Sequence, residues 1–105
     1  MGTLSKRELD ALVEEAIVDA YDEYEQTTAF AVMIGDNVDF PFSTVVFGVE
    51  VNVTGVDEGP GPGIAAVCHR GKERQRIGIL DLPLPSPPPA GSEWIAAYRH
   101  WLTGA

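Results

Sequence analysis

The sequence predicts an α+β fold in which two helices flank a small antiparallel sheet, within a single domain spanning residues 1–105. Three observations support it: helical spacing of apolar residues near the N-terminus, alternating apolar and polar residues in the middle, and a second short helical pattern at the end. With 45% hydrophobic and 22% charged residues, the chain can bury a core without disulfide bonds.

The first helix is predicted from Ser5 to about Glu25. Apolar side chains recur at steps of three and four residues from Leu9 to Tyr24, which places them on one helical face. Ser5 followed by Glu8 is a capping-box pattern and defines the helix start. The segment is therefore predicted to be amphipathic.

The charges of this predicted helix oppose its dipole. Bases occupy the first turn, whereas acids gather toward the predicted C-terminus, where the macrodipole is already negative. A bound cation would remove that penalty. These acids are therefore the first indication of a divalent metal, most simply calcium; they are Asp19, Asp22, Glu23 and Glu25.

Strands are predicted in the middle of the chain. The apolar run 29–34 and the segment 40–42 flank a polar turn at 35–39, which predicts two strands joined by an acidic loop. Residues 43–56 are typical of strands throughout, with Gly48 marking a bend or turn. A hairpin around Gly71 is then predicted, joining strands at 64–69 and 73–80.

The remaining segments connect these elements. Residues 57–63 are predicted to form a Gly- and Pro-rich loop, and residues 83–89 an extended proline-rich segment. Ser92 is predicted to cap the short second helix. Five or so short strands between two helices predict a strongly bent antiparallel sheet or a partly open, SH3-like barrel.

Acidity is concentrated in one half of the chain. The formal net charge is −9, made up of −11 over residues 1–58 and +2 over residues 59–105. Such a field attracts cations and repels phosphate, so the sequence predicts no nucleic-acid partner and no membrane partner. A basic protein partner and calcium ions remain as candidates.

Cysteine content and hydropathy indicate the compartment. Cys68 is the only cysteine, which excludes an internal disulfide and a thiolate-rich zinc site. The N-terminal segment lacks the apolar run of a signal peptide, and no stretch reaches the ~20 apolar residues of a membrane span. We therefore expect a soluble, cytoplasmic monomer.

Two groups of acids are candidate calcium ligands. The first is Asp36 and Asp39, which with Asn37 supply oxygen donors within four residues. The second is the helical group Asp19, Asp22 and Glu23, since no Lys or Arg lies between Arg7 and Arg70 to neutralise it. Neither group matches an EF-hand loop. The alternatives are ordinary turn chemistry for the first group and a solvated helix face for the second.

No enzyme is predicted. The chain offers no Ser/His/Asp or Cys/His arrangement, and the Gly-rich stretch 59–63 lacks the Lys and Ser or Thr of a phosphate loop. The basic cluster 69–76 lacks the interleaved aromatic residues of an RNA-binding surface and is expected to pair with the acidic half. Cys68 is expected to be a buried small hydrophobe.

Five segments resemble the small acidic bacterial calcium-binding proteins of the CcbP type; they are residues 17–21 with their trailing acids, 36–42, 70–77, 80–85 and 93–101. The resemblance implies calcium binding without an EF-hand, through carboxylates on a strongly negative surface, and no catalysis. Carried onto this chain, it makes Asp36 and Asp39 the first-choice ligands, followed by the helical group.

Two functions follow from these observations. The first is a calcium-binding protein that buffers or senses cytosolic Ca²⁺. The second is a non-catalytic interaction module whose acidic face binds a basic partner. A calcium site loses affinity when one ligand carboxylate is neutralised, whereas a partner surface tolerates single changes and weakens steeply with salt.

Overall fold

The computed structural model describes residues 4–58 and 63–104. Within them the chain forms three helices and four strands, which confirms the α+β class. Their order and bounds are α1 (Lys6–Ile17), α2 (Glu23–Asn37), β1 (Phe42–Val46), β2 (Val49–Asp57), β3 (Ala65–Arg70), β4 (Glu73–Gly78) and α3 (Glu93–Leu102).

The predicted N-terminal helix is in fact two helices. Its start is as expected, because the Ser5 hydroxyl accepts from the Glu8 N–H and the Glu8 carboxylate accepts from the Ser5 N–H. The helix ends at Ile17, however, and Asp22 caps a new helix. Apolar spacing continues across the break, so periodicity alone could not locate it.

The strand predicted at 29–34 is wrong, because these residues lie inside α2. Phe30 and Ile34, four residues apart on one helical face, are fully buried. The Phe30 ring centroid lies 5.6 Å from that of Tyr98 and 5.3 Å from that of Trp101 on α3. Packing between the two helices therefore outweighs the local β propensity of the segment.

The sheet is an antiparallel meander of order β1-β2-β3-β4. Two tight hairpins build it, one turning at Phe47 and Gly48 and the other at Gly71 and Lys72. The second is the hairpin that the sequence predicted, and at the first Gly48 marks a tight turn between two strands. Among the described residues, β1 and β4 each pair with a single strand. The sheet is therefore open rather than closed into a barrel.

The core lies between one face of the sheet and the three helices. Its fully buried strand residues include Val53 and Ala66, and Cys68 is also buried, as expected. Helix α1 contributes Ala16 to this core and is tied to α3 by a 2.7 Å contact between Asp10 Oδ1 and His100 Nε2.

Several further predictions concern the connecting segments. Residues 83–89 form neither helix nor strand, consistent with an extended connection to α3. Most of the loop predicted at 57–63 lies outside the described residues, although Asp57 itself is the last residue of β2. No helix in the described ranges is long and apolar enough to cross a membrane.

Candidate calcium site

Residues 18–22 link α1 to α2. The acids predicted to lie on one helix lie around this link instead. Asp19, Asp22 and Glu23 are all exposed there. A cleft of about 350 Å³ opens between the link and α2, and Asp19 and Glu25 line it. Asp22 and Glu23 line a second cleft of about 430 Å³ on the side of α3. The link thus presents carboxylates to solvent in two directions.

Asp22 and Glu25 each accept a hydrogen bond from a backbone N–H group. An Asp22 carboxylate oxygen accepts from the Glu25 N–H at 2.7 Å, and Glu25 Oε1 accepts from the Tyr21 N–H at 2.8 Å. Both bonds satisfy donors at the start of α2, where acids are favoured by the dipole. The prediction that Asp22, Glu23 and Glu25 oppose a helix dipole is therefore wrong.

Acids do lie at the negative end of a helix dipole, where they are unfavourable, at two other places. The last turn of α1 contains no base, and Asp19 follows the C-cap residue Val18 of that helix. The last turn of α2 also contains no base, and Asp36 lies within it. Each helix C-terminus carries partial negative charge from its unpaired carbonyl groups. A cation is favoured at both positions.

Asp36 and Asp39 do not lie on a hairpin tip. Asp36 belongs to the final turn of α2, and the Asn37 side-chain amide donates to the Met33 carbonyl at 2.8 Å, inside the helix. Asp39 follows the helix and its backbone N–H donates to the Ala90 carbonyl at 2.8 Å. Both carboxylates are exposed, while the bond from Asp39 holds its backbone against the turn that precedes α3.

The two groups of candidate ligands are far apart. Glu23 and Asp36 are thirteen positions apart along α2, which corresponds to ~20 Å along the helix axis. Calcium binds its ligands at ~2.3–2.6 Å. The two groups therefore cannot share one ion in this structure.

The donor chemistry suits calcium better than a softer metal. The predicted ligands are all carboxylates, and hard oxygen donors select calcium or magnesium. Within residues 4–58 and 63–104, no three His, Cys, Asp or Glu side chains are placed together so as to hold a metal ion. The geometry thus fits weak sites that water completes, rather than a closed protein cage.

The candidate calcium ligands take no part in the ion pairs among the described residues. The ion pairs among the described residues involve Lys6 with Asp10, Arg76 with Asp57, and His100 with Asp10. The Arg76 pair, at 2.8 Å, joins the basic cluster to the acidic half as expected. None of these pairs includes an acid of the link or of the α2 C-terminus.

One acid near the first cleft could not be found from the sequence. Glu58 Oε2 accepts from the Thr28 hydroxyl at 2.9 Å, and Thr28 lines the cleft beside Asp19 and Glu25. Glu58 lies thirty residues beyond Thr28, after β2, so no local spacing pointed to it. It adds a fifth acid to the α1–α2 region, beside Asp19, Asp22, Glu23 and Glu25.

Comparison with known proteins agrees with the donor chemistry. A family model described as calcium binding, of the CcbP type, matches residues 10–102. The match includes both groups of candidate ligands and every helix and strand except the first four residues of α1. No curated protein and no solved structure matches the chain significantly.

Proposed function

The chain belongs to the CcbP-type family of calcium-binding proteins, and we propose that it buffers cytosolic Ca²⁺ at two separate, weak sites. One site lies at the C-terminus of α2, with Asp36 and Asp39 as ligands. The other lies at the α1–α2 link, where Asp19 is supported by Asp22 and Glu23. Magnesium is disfavoured because it demands near-octahedral geometry that exposed, irregularly placed carboxylates do not offer.

The observation that carries this proposal is the position of the acids at helix C-termini. Asp36 lies in the last turn of α2 and Asp19 follows the C-cap of α1, and neither helix has a base in its last turn. Carbonyl oxygens exposed at such an end can complete the coordination of a hard cation. Calcium would neutralise the acids and the negative end of the dipole together.

Buffering is favoured over sensing because the fold is already complete. The described residues contain no buried side-chain nitrogen or oxygen without a hydrogen-bond partner, and the core aromatic rings are in contact. Binding to exposed carboxylates requires no new surface to open. We accordingly expect no catalytic activity and little change in hydrogen exchange outside the link and residues 36–39 when calcium is added.

Calorimetric titration of chelator-treated protein with calcium and magnesium tests the assignment. The variant Asp36→Asn with Asp39→Asn should lose one class of calcium site, and Asp19→Asn with Glu23→Gln the other. A matched control is Glu50→Gln with Glu73→Gln, which removes two negative charges from exposed strand residues.

The outcomes separate specific sites from a diffuse field. Two sites would be supported if calcium binding is saturable, if the control binds as many ions per chain as the wild type, and if each site variant binds half as many. Equal, weak responses to both ions in all proteins would overturn the proposal and leave the acids as a solvated surface.

A second candidate function is a module that binds a basic protein. Three apolar or aromatic side chains at the link are largely exposed: Val18 at 74%, Tyr21 at 87% and Tyr24 at 76%. Exposed aromatic residues among acids suit a basic, partly apolar segment. Binding of such a partner should weaken steeply with salt and survive single neutralisations, unlike calcium binding.

A further inference from the structure

Exposed apolar side chains are concentrated around the α1–α2 link. Nine large apolar side chains are exposed among the described residues, and four of them line the two clefts beside the link. Val18 and Tyr24 line the first cleft, and Tyr21 and Leu102 line the second. Apolar surface gathered in one place marks a site of interaction, whereas apolar residues scattered singly need no explanation.

Both clefts reach the hydrophobic core. Three alanines line the first cleft, and one of them, Ala16, is buried in the core. Their small side chains leave room beside the exposed Tyr24 ring. In the second cleft, the partly buried Trp101 packs against the core, and its indole N–H donates to Gln26 Oε1 at 3.2 Å. The clefts therefore offer fixed apolar walls to a partner.

The charged walls of both clefts are acidic. Among the described residues, no Lys, Arg or His lines either cleft. Asp19 and Glu25 line the first, and Asp22 and Glu23 line the second. An apolar surface with an acidic border is complementary to a segment that presents apolar side chains on one side and Lys or Arg at its margins.

The same carboxylates disfavour other occupants. A second copy of this chain, at net charge −9, would be repelled, as would a phosphate backbone or an anionic membrane. Lys and Arg side chains gain instead, because they pair with carboxylates and stack on exposed aromatic rings. The link is thus suited to a basic, amphipathic segment of another protein.

We propose that such a basic segment docks on the α1–α2 link and that calcium displaces it. This inference rests on the proposed calcium site at the link, because Asp19 is a ligand of that site and also lines the first cleft. A bound Ca²⁺ neutralises the carboxylates that attract Lys and Arg. The surface is already exposed, so the exclusion is electrostatic and requires no conformational change.

The competition is reciprocal and local. If calcium lowers the affinity for the segment by a given factor, the segment lowers the calcium affinity of the link by the same factor. The site at Asp36 and Asp39 lies ~20 Å away along α2, beyond the Debye length of about 8 Å at physiological ionic strength. A docked segment should therefore release calcium from the link and leave the other site loaded.

A fluorescently labelled synthetic peptide of Lys and Leu, arranged to form an amphipathic helix, is the probe. Its anisotropy should show saturable binding to the chelator-treated protein at near-physiological salt. Saturating calcium should raise the Kd about tenfold, a typical coupling between two ligands. Magnesium at the same concentration controls for screening and should have little effect. A peptide of the same composition, shuffled so that no apolar face forms, should bind more weakly.

Two serine variants test the place of docking. Tyr24→Ser removes an exposed aromatic side chain from the first cleft, whereas Val32→Ser removes an exposed apolar side chain from the same helix outside both clefts. Tyr24→Ser should weaken peptide binding several-fold and leave the number of bound calcium ions unchanged. Val32→Ser should alter neither, with both proteins folded by circular dichroism.

The carboxylate variants test the place of competition. Asp36→Asn with Asp39→Asn should retain the effect of calcium on the peptide, because these residues lie at the far end of α2. Asp19→Asn with Glu23→Gln should lose that effect and still bind the peptide, since the aromatic side chains and the other acids of the clefts remain.

The results separate this inference from the proposed function. Calcium binding at the link that leaves the peptide affinity unchanged would overturn the inference alone. So would an absence of saturable peptide binding, equal weakening by calcium and magnesium, or equal peptide affinity of Tyr24→Ser and Val32→Ser. An absence of calcium binding in the calorimetric titration would overturn the proposed function and this inference together.

Discussion

The aromatic core and the α1–α2 link differ in how their stability depends on ions. In the core, Phe30, Tyr98 and Trp101 pack with ring centroids 5.3–6.1 Å apart and need no ligand. At the link, exposed carboxylates line two clefts, and none of them belongs to an ion pair among the described residues. Burial therefore stabilises the first region in any ionic medium, whereas the stability of the second depends on its counterions. The fold and the calcium response are thus separable.

The sharpest test of this separation is Phe30→Ala. Phe30 is fully buried between α2 and α3, so its truncation should cost about 3–5 kcal/mol of unfolding free energy through lost burial and a residual cavity. Val32→Ala, at an exposed position on the same helix, should change stability by less than about 0.5 kcal/mol. Urea unfolding measures both. Comparable losses would show that α2 is not held by its buried face.

A smaller effect is expected at the start of α2, where one residue has both roles. Asp22→Ala removes the cap on the Glu25 N–H and should cost about 1 kcal/mol, whereas Asp22→Asn retains a capping oxygen and should cost much less. Calcium affinity at the link should fall in both variants. If Asp22→Asn binds calcium as well as the wild type, Asp22 serves only as a cap.

The features that the sequence predicted correctly depend on residues that are neighbours in the chain. The hairpin at Gly71 depends on a two-residue turn between β-prone segments, and the start of α1 depends on a capping box four residues long, from Ser5 to Glu8. Segment 29–34 was mispredicted because a short apolar run suits a buried strand and a buried helix equally. Only the packing of Phe30 against α3, some seventy residues away, decides between them.

The same reasoning explains the mixed outcome at the site. Sequence reasoning selected the acids from composition, and the family match supports calcium as their ligand. It placed Asp22 at the wrong end of a helix because the break after Ile17 has no Gly or Pro to mark it. The contact of Glu58 with Thr28 depends on how β2 lies against α2, which no spacing reveals.

The contact between α1 and α3 should make stability depend on acid pH. Hydrogen bonds from His100 first, and then from Lys6, hold the pKa of Asp10 below its usual value. A lowered carboxyl pKa contributes stability above the unfolded-state pKa, near 4, and that contribution is lost as the pH falls through the folded-state pKa. His100→Gln should raise the Asp10 pKa in an NMR titration, and an unchanged pKa would contradict this assignment.

The smallest change in stability is expected at Asp19, and the sign of that change should reverse when calcium is added. Asp19 follows the C-terminus of α1, so Asp19→Asn should stabilise the calcium-free protein by a few tenths of a kcal/mol at low salt. With saturating calcium the wild type gains the stabilisation of a bound ligand and the variant gains less, so the order of their melting temperatures should invert. Glu50→Gln, an equal charge change on β2, should show no inversion. If Asp19→Asn is stabilised by the same amount with and without calcium, Asp19 experiences only the general field of the acidic half. The link would then not be a calcium site.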